Sequence, residues 1–355
     1  MPEKNAPQDN GGAVPVHDVA VLGGGSFGTA MTKVLAENGH RVHFWMRDAA
    51  QVEEISTTSI NSRYMPDVEL SGDVLPTTDL AEAVGKAEIV FVAIPSKAFR
   101  AVIREHCGEF RDGQIVISLT KGIEEHGFKL MSEILQEEIP RCRIGVLSGP
   151  NLAGEIVNRD LTATVIAAKD PDVRRTAQDL LGCEYFRVYA NVDIYGVELA
   201  GALKNIYAIV AGLSSALDMG ENAKAMLITR GLAEMSRFAV SLGANPMTFM
   251  GLAGVGDLIV TCTSSKSRNF RVGYAVGKGQ NLDDAVADLG QVAEGIYTLK
   301  LVKEKSEAIG IYMPLVRGLY EILYGNASIK AVINSLMMAV QNSDVEFILP
   351  RTITQ

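Results

Sequence analysis

Cysteine, tryptophan and long apolar runs are scarce in this chain of 355 residues. Its four cysteines are far apart and include no CxxC pair, so we expect neither a disulfide framework nor a metal site. A membrane-spanning helix requires roughly 18 consecutive apolar residues. The most apolar long stretch, residues 195–217, is interrupted by Glu198 and Lys204. The composition therefore excludes a disulfide-rich scaffold and predicts no stable membrane insertion.

Positive charge is also in short supply, with 33 lysines and arginines against 42 aspartates and glutamates and a formal net charge of −9. Such a chain does not attract nucleic acid or an anionic membrane through its overall field, although basic groups that gather locally can still bind a small anion. The hydrophobic fraction of 47% is ordinary for a globular protein and excludes a disordered or fibrous one. The length predicts two domains rather than one.

The two ends of the chain stand apart from the rest. Residues 1–15 have neither an apolar core nor a basic run, so they do not form a secretory signal, and we expect a disordered leader. Residues 341–355 are expected to form a C-terminal tail. Because we predict neither a secretory signal nor a membrane-spanning helix, we expect a cytoplasmic protein.

Between these ends, the sequence shows two patterns of predicted secondary structure, one in each half. Apolar runs of strand length lie at residues 18–23, 41–47, 88–95, 114–121, 143–149, 163–170 and 184–191. Helical stretches separate them, and runs that are apolar on both faces are typical of a parallel sheet covered on both sides. We therefore predict an α/β fold, with a Rossmann-like doubly wound domain at residues 16–191. Helical patterns dominate afterwards and predict an all-helical domain at residues 192–340, in which only DLIVTCT is ambiguous between strand and helix.

The segment GGGSFG follows the first predicted strand and carries Gly23, Gly25 and Gly28 in the spacing GxGxxG. That spacing alone is a weak signal, but here a strand precedes it, a helix follows and a second strand comes next, as dinucleotide binding requires. The first glycine permits a tight turn, the second lets the backbone approach a pyrophosphate, and the third lets helix and strand pack closely. Free N–H groups at the helix start then face the phosphates.

The end of the second strand usually selects the cofactor, because an acidic side chain there binds the ribose 2′-hydroxyl and rejects a 2′-phosphate. This strand ends in FWMRD. Arg47 can accept a 2′-phosphate, whereas Asp48 can bind a hydroxyl. We therefore favour NADP over NAD, with NAD tolerated; the alternative for Arg47 is a solvated cation at a strand end.

Two lysines are candidates for the chemistry. Lys121 directly follows an apolar strand, and ligands of open parallel sheets lie beyond the carboxyl ends of the strands. Lys204 lies in an apolar helical stretch, where lysine is rare unless it is paired. Desolvation lowers the pKa of such a lysine and makes it a usable proton donor or acceptor. The alternatives are ordinary turn chemistry at Lys121 and a side chain that reaches water at Lys204.

A third group of polar residues lies in GLAGVGDLIVTCTSSKSRNF. Asp257 follows a glycine-rich turn, and Ser267, Arg268 and Asn269 come together at a predicted helix start. An arginine, a hydroxyl, an amide and free backbone N–H groups form a good phosphate cradle. The alternative is a helix cap beside a surface arginine.

These segments resemble a known family. GGGSFGTA, SLTKGIE, SGPNLAGE, GALKNIYAI, GLAGVGDLIVTCTS, SRN and VAEG are similar, in order and spacing, to the motifs of bacterial-type NAD(P)-dependent glycerol-3-phosphate dehydrogenase. The resemblance spans residues 18 to about 340. It implies the reversible reduction of dihydroxyacetone phosphate by NAD(P)H to sn-glycerol 3-phosphate, a precursor for phospholipid synthesis.

The resemblance also implies roles for individual residues. Lys204 corresponds to the proton donor and acceptor. Lys121 and Asp257 complete the expected catalytic set: Lys121 touches both cofactor and substrate, and Asp257 orients Lys204 or holds a substrate hydroxyl. The further substrate contacts that it implies are Gly149, Asn151, Asp257, Ser267, Arg268 and Asn269. The cofactor-lining residues that it implies are Ser26, Phe27, Arg47, Tyr64, Ala153, Arg268, Val292 and Glu294.

Two other functions are compatible with parts of the sequence. A 3-hydroxyacid dehydrogenase of the same two-domain architecture also uses a helix lysine, usually with an asparagine one turn later, whereas here Asn205 directly follows Lys204. A non-catalytic NAD(P)-binding module would need the glycine loop but not Lys121, Lys204 and Asp257. The apolar helices of the second domain suit a homodimer, which we expect, but they suit an ordinary core as well.

Overall fold

The computed structural model describes residues 15–125, 127–290 and 293–338. The strands are β1 Asp18–Leu22, β2 Arg41–Trp45, β3 Ile60–Asn61, β4 Met65–Glu69, β5 Val74–Thr77, β6 Ile89–Val92, β7 Ile115–Ser118, β8 Arg143–Ser148, β9 Thr162–Ala167 and β10 Phe186–Asn191. The helices up to residue 181 are α1 Ser26–Glu37, α2 Ala49–Thr58, α3 Leu80–Lys86, α4 Ser96–Glu105, α5 Met131–Glu138, α6 Ala153–Val157 and α7 Pro171–Leu181. The later helices are α8 Ile194–Ala216, α9 Glu221–Ser241, α10 Asp257–Thr263, α11 Arg268–Gly277, α12 Leu282–Leu289, α13 Glu294–Ala308, α14 Pro314–Leu323 and α15 Ile329–Met337. Single turns of 3₁₀ helix lie at Cys107–Glu109 and Pro246–Met250, and a π-helical turn lies at Leu252–Gly256.

An eight-stranded sheet organises the first half, with the order β10-β9-β8-β7-β6-β1-β2-β5. Neighbouring strands are parallel except β8 and β9, which are antiparallel. The chain runs outward from β1 through β2 to β5 and then returns to the other side of β1 with β6. This reversal leaves a crevice at the carboxyl ends of β1 and β6, where doubly wound folds bind their ligands.

The predicted Rossmann-like α/β sheet is confirmed, and both of its faces are buried. Along β1, Val19 and Val21 pack into the core on one face, while Ala20 and Leu22 pack into the core on the other. This explains the continuously apolar strands of the sequence.

Some strands differ from the sequence prediction. The short strands β3, β4 and β5 were not expected, because they carry no continuous apolar run and two of them contain proline. β5 lies at the edge of the sheet, and β3 and β4 form a separate antiparallel pair, so neither position needs burial on both faces. Strands β9 and β10 run opposite to the other six and so also depart from an all-parallel sheet.

The second half is helical, as predicted, and the ambiguous DLIVTCT forms helix α10. Its buried residues Asp257, Leu258, Thr261 and Cys262 recur at helical spacing. Helix α8 is long and apolar enough to cross a membrane by length and composition, but 94% of that stretch is buried inside the structure. It is the central helix of the helical core. Gly212 on α8 and Gly273 on α11 permit close contact, since a Cβ at Gly273 would lie 2.0 Å from the Ile209 carbonyl oxygen.

We propose the domain division near residue 191, and the chain path supports it because β10 ends at Asn191 and α8 begins at Ile194. One segment of the first half nevertheless packs with the second. Ile123 and Leu130, between β7 and α5, lie in the core of the helical half. The expected leader falls outside the described residues except for residue 15, and the expected tail falls outside them entirely.

Candidate active site

The glycine loop is shaped by close backbone contacts. Gly23 has φ +125°, a conformation that side chains rarely adopt, and a Cβ there would lie 2.6 Å from the Ala93 carbonyl oxygen at the end of β6. A Cβ at Gly28 would lie 1.9 Å from the Gly23 carbonyl oxygen. Gly25 caps α1 without a side-chain hydrogen bond and faces open space. The first-turn N–H groups therefore have no side-chain cap, and the loop has room for an anion.

Sequence reasoning missed the side chains that hold this loop. Gln51 Nε2 donates to the Gly24 carbonyl oxygen over 2.7 Å, and Asn61 Nδ2 donates to the same oxygen over 3.0 Å. Asn61, which is fully buried, also donates to Thr29 Oγ1. These residues lie in α2, β3 and α1, and no local motif marks them.

The end of β2 presents Arg47 and Asp48 to solvent. Asp48 caps α2, with its Oδ1 accepting from the Ala50 N–H over 3.0 Å. Asp48 Oδ2 lies 4.0 Å from Arg63 Nη1, so both carboxylate oxygens already have a partner that a ribose hydroxyl would have to share or displace. Among the described residues Arg47 has no ion-pair partner, so its guanidinium is available to a ligand.

Lys121, Lys204 and Asp257 form one connected network. The Asp257 side chain is buried and accepts from both lysines, at 2.7 Å from Lys121 Nζ and 2.5 Å from Lys204 Nζ. Lys121 Nζ also donates to the Gly149 carbonyl oxygen over 2.9 Å. Three segments that are distant in sequence thus meet at one carboxylate.

Lys204 is only 6% exposed and has a further partner, Thr261, which sequence reasoning missed. Lys204 Nζ donates to Thr261 Oγ1 over 2.6 Å, and that hydroxyl donates to the Asp257 backbone carbonyl oxygen, one helical turn earlier. Burial lowers the pKa of Lys204 to about 8; the Asp257 carboxylate opposes this shift and the Lys121 ammonium adds to it. The i, i+4 spacing of Asp257 and Thr261 was the available signal.

The network adjoins the glycine loop through Gly122 and Ser96. A Cβ at Gly122 would lie 2.5 Å from Ser96 Cβ, at the start of α4. Ser96 Oγ donates to Glu294 Oε2 over 2.8 Å, which joins α4 of the sheet domain to α13 of the helical domain. Burial raises the pKa of Glu294, and the Ser96 hydrogen bonds oppose this. Ser96 follows β6, and Ala93, just after the end of β6, is the residue that contacts Gly23.

The Ser267–Asn269 cluster begins helix α11, as expected of a cradle. Ser267 caps it by accepting from the Phe270 N–H. Arg268 is exposed to solvent, yet the surrounding protein partly desolvates its guanidinium and lowers its pKa, while Glu294 and Tyr64 oppose the shift. Asn269 is buried, and its amide joins Asn205 Oδ1 (2.9 Å) to the Gly295 N–H (3.0 Å). Asn269 thus joins three helices, α8, α11 and α13.

Gly149 and Asn151 follow β8 beside Lys121. Gly149 has φ +153°, and its carbonyl oxygen binds the Lys121 ammonium. Asn151 Nδ2 donates to Thr164 Oγ1 over 2.9 Å. Asn151 Oδ1 and Ser148 Oγ are buried without a hydrogen-bond partner among the described residues. Buried polar atoms left without a partner carry a free-energy cost to the folded state.

Four of the remaining expected cofactor residues lie in the sheet domain. Phe27, Tyr64 and Ala153 are partly buried and pack against the sheet core. Ser26 opens α1. Val292 lies outside the described residues.

Comparison with known proteins identifies the family. Residues 18–174 match the model described as NAD-dependent glycerol-3-phosphate dehydrogenase N-terminus, and residues 193–334 match the corresponding C-terminus. The chain belongs to this family. Glycerol-3-phosphate dehydrogenase (NAD(P)+) of Pseudomonas syringae pv. tomato is 57% identical over 330 residues, which cover 93% of this chain and 96% of the relative.

Solved structures of this family agree in fold. The glycerol-3-phosphate dehydrogenase of Coxiella burnetii is 35% identical, with a TM-score of 0.87 and coverage of 91% of this chain and 99% of the other. The enzyme from Saccharomyces cerevisiae is 28% identical, with a TM-score of 0.80. The predicted resemblance and the expected NAD(P) dependence are therefore confirmed, and the 3-hydroxyacid dehydrogenase alternative loses its support.

Proposed function

We propose that this chain catalyses the reversible NAD(P)H-dependent reduction of dihydroxyacetone phosphate to sn-glycerol 3-phosphate, with Lys204 as proton donor and acceptor. The observation that carries the proposal is the buried Lys204–Asp257–Lys121 network beside a glycine loop at the carboxyl edge of the sheet. The membership of the glycerol-3-phosphate dehydrogenase family supports the substrate.

The residues at the glycine loop fit a dinucleotide. Gly23 and Gly28 have no space for a side chain, Gly25 faces open space, and the start of α1 offers uncapped N–H groups to a pyrophosphate. We assign Gly23, Gly25, Ser26, Phe27, Gly28, Arg47, Tyr64, Lys121, Ala153, Arg268, Val292 and Glu294 to the cofactor. When bound, NAD(P)H supplies the hydride that reduces the ketone.

Lys204 is suited to the proton step because its pKa of about 8 leaves both protonation states accessible near neutral pH. In reduction, its ammonium stabilises the negative charge that develops on the ketone oxygen and then transfers a proton from Nζ to that oxygen. In oxidation, neutral Lys204 removes the proton from the alcohol. Asp257 and Thr261 keep Nζ in place through both directions.

The phosphate end of the substrate is assigned to the start of α11. Ser267, Arg268 and Asn269 there combine a hydroxyl, a guanidinium and an amide N–H with the N-terminal end of a helix. Binding energy at the phosphate orients the carbonyl group toward Lys204 and so contributes to the rate. Gly149 and Asn151 are assigned to the substrate on the side of Lys121.

The proposal extends to the cofactor preference, the metabolic role, the location and the oligomeric state. The exposed Arg47 and the engaged Asp48 favour NADPH over NADH. The product would supply phospholipid synthesis in the cytoplasm, and the enzyme would act as a homodimer. Analytical ultracentrifugation tests the last point, because a monomer would contradict it.

The test of the function is NADPH oxidation, followed by absorbance, with dihydroxyacetone phosphate as the acceptor. Unphosphorylated dihydroxyacetone is the control, and NADH is compared with NADPH. We expect rapid turnover that depends on the phosphate. A folded protein that binds NADPH but reduces neither ketone would overturn the proposal and revive the non-catalytic binding module.

A further inference from the structure

Glu198 is a buried carboxylate that the reaction does not use directly. It lies in α8, six residues before Lys204, and is 1% exposed. Its Oε1 accepts from the Ser132 N–H over 3.0 Å, and its Oε2 accepts from Ser132 Oγ over 2.5 Å. Ser132 lies in the first turn of α5, in the sheet domain. A carboxylate of the helical domain thus caps a helix of the other domain.

The chain just before α5 carries Lys121. Residues 121–130, of which all but residue 126 are described, fold back on themselves: Ile123 and Leu130 form an antiparallel bridge, and the Glu124 N–H donates to the Lys129 carbonyl oxygen over 2.8 Å. We call this segment the Lys121 hairpin. Ile123 and Leu130 pack in the helical core, and the Phe128 ring meets the Phe238 ring edge-on. The Lys121 hairpin is therefore anchored to the helical domain, and Glu198 holds the point where it enters α5.

We propose that Glu198 is a positioning residue, which holds the Lys121 hairpin against α8 and thereby sets the place of the Lys121 ammonium beside Asp257 and Lys204. The inference deepens the proposed function and rests on it. Gly201 supports the same close approach, because a Cβ there would lie 2.5 Å from Ser148 Oγ and 3.6 Å from Lys121 Cγ.

The pKa of Lys204 should change in a definite direction when Glu198 is replaced. The charged or titratable groups that influence Lys204 are Asp257, Lys121 and Cys262. Those around Glu198 are Glu133 on α5 and Tyr195 on α8. If the Lys121 hairpin loosens, the Lys121 ammonium withdraws and the pKa of Lys204 rises. Simple loss of the Glu198 negative charge would lower that pKa instead, since a nearby anion stabilises an ammonium.

The chain offers a matched control in Glu234. This residue of α9 is also buried, at 2% exposed, and its carboxylate accepts from the Leu315 and Val316 N–H groups at the start of α14. Burial raises the pKa of both Glu198 and Glu234 to about 7. Glu234 therefore repeats the cap and the burial of Glu198, but it has no hydrogen bond to α5 or to the described residues of the Lys121 hairpin.

The experiment compares Glu198→Gln, Ser132→Ala and Glu234→Gln with the unaltered full-length protein. Steady-state reduction of dihydroxyacetone phosphate gives kcat, KM and their pH profiles. The pKa of Lys204 is also measured without turnover, from the pH dependence of acetic anhydride labelling at Lys204, quantified by mass spectrometry. Thermal melting monitors stability, and fluorescence titration monitors NADPH binding.

We expect Glu198→Gln to lower kcat about fivefold, the range for a lost hydrogen bond, and to raise the pKa of Lys204, with NADPH affinity unchanged. Ser132→Ala should also lower kcat and raise the pKa of Lys204, but by smaller amounts. Glu234→Gln should lower the melting temperature but leave kcat and the pKa of Lys204 unchanged. An unchanged or lowered pKa in Glu198→Gln, or an equal kcat loss in both glutamine variants, would overturn the inference. If the unaltered protein does not reduce the ketone, the proposed function fails, while the labelling still decides the role of Glu198.

Discussion

The sheet domain and the helical domain contribute to the same crevice by different means. Around the glycine loop, the sheet domain offers backbone N–H groups, and what matters at Gly23 and Gly28 is the absence of a side chain. The helical domain offers side chains: Lys204, Asp257 and Thr261 act as a connected set, and Arg268 stands at a helix start. The position of the backbone N–H groups depends on the local geometry of the glycine loop. The positions of Lys204, Asp257 and Thr261 depend on how the helices pack. Substitutions in the two domains should therefore produce different kinetic losses.

The largest loss should follow from Lys204→Ala in the helical domain. Without the proton donor, kcat should fall about 100-fold or more, whereas NADPH affinity should stay the same because the glycine loop is intact. Steady-state kinetics and fluorescence titration measure the two quantities. Lys86→Ala, at an exposed lysine of α3, is the control. Near-normal turnover of Lys204→Ala would remove Lys204 from the mechanism.

Arg268→Ala should cause the second largest loss of activity, through a higher KM for dihydroxyacetone phosphate. A charge-assisted contact to phosphate is worth about 1.5–3 kcal/mol, so KM for dihydroxyacetone phosphate should rise roughly 10- to 100-fold. Because Arg268 is also assigned to the cofactor, both ketones are compared at saturating NADPH, where the slow reduction of unphosphorylated dihydroxyacetone should not change. Arg271→Ala, one turn further along α11 at an exposed position, serves as control. An unaltered KM would mean that the phosphate lies elsewhere.

Gly28→Ala tests the sheet domain. The new Cβ would meet the Gly23 carbonyl oxygen at 1.9 Å, so the loop must shift, and we expect NADPH affinity to fall about tenfold. Once the variant is saturated with NADPH, kcat should recover much of its value. Gly85→Ala, in α3 with open space around it, should leave NADPH affinity unchanged. Equal affinities in the two variants would argue against the glycine loop as the cofactor site.

The pH dependence follows from Lys204. Reduction needs its ammonium, so kcat/KM for reduction should fall as pH rises through about 8, approaching tenfold per pH unit. Oxidation of glycerol 3-phosphate needs the neutral amine and should rise through the same interval. Initial rates in both directions, from pH 6 to about 10, measure this. Profiles that move in parallel in the two directions would contradict the assignment.

The smallest effect is expected at Arg47. Because its side chain is exposed, water and salt screen its charge, and Arg47→Asp should shift the preference toward NADH by only about three- to tenfold. The ratio of kcat/KM values for NADPH and NADH measures the shift. Arg175→Asp makes the same charge change at an exposed position of α7 and should leave that ratio unaltered.

Much of the sheet domain could be predicted because its signals are local. Continuous apolar runs identified the strands from β6 to β10, and GGGSFG predicted a glycine loop between β1 and α1, which the structure contains; its role in binding a dinucleotide stays a prediction. The edge strand β5 escaped notice because a partly exposed edge does not require such a run. The antiparallel pairing of β8 with β9 was missed for a related reason, since burial on both faces does not encode strand direction.

By itself, the sequence determined which residue types stand at strand ends and helix starts: glycines after β1, Lys121 after β7, and the Ser267–Asn269 cluster at the start of α11. These follow from backbone periodicity and capping, which act over a few residues. Only the tertiary structure decided that Lys121 and Lys204 share the Asp257 carboxylate, that Thr261 joins them, and that Asn269 braces Asn205 and Gly295. Those contacts join side chains as far apart as 136 residues in the chain, and the burial that lowers the pKa of Lys204 exists only when α8 is packed at the centre of its domain.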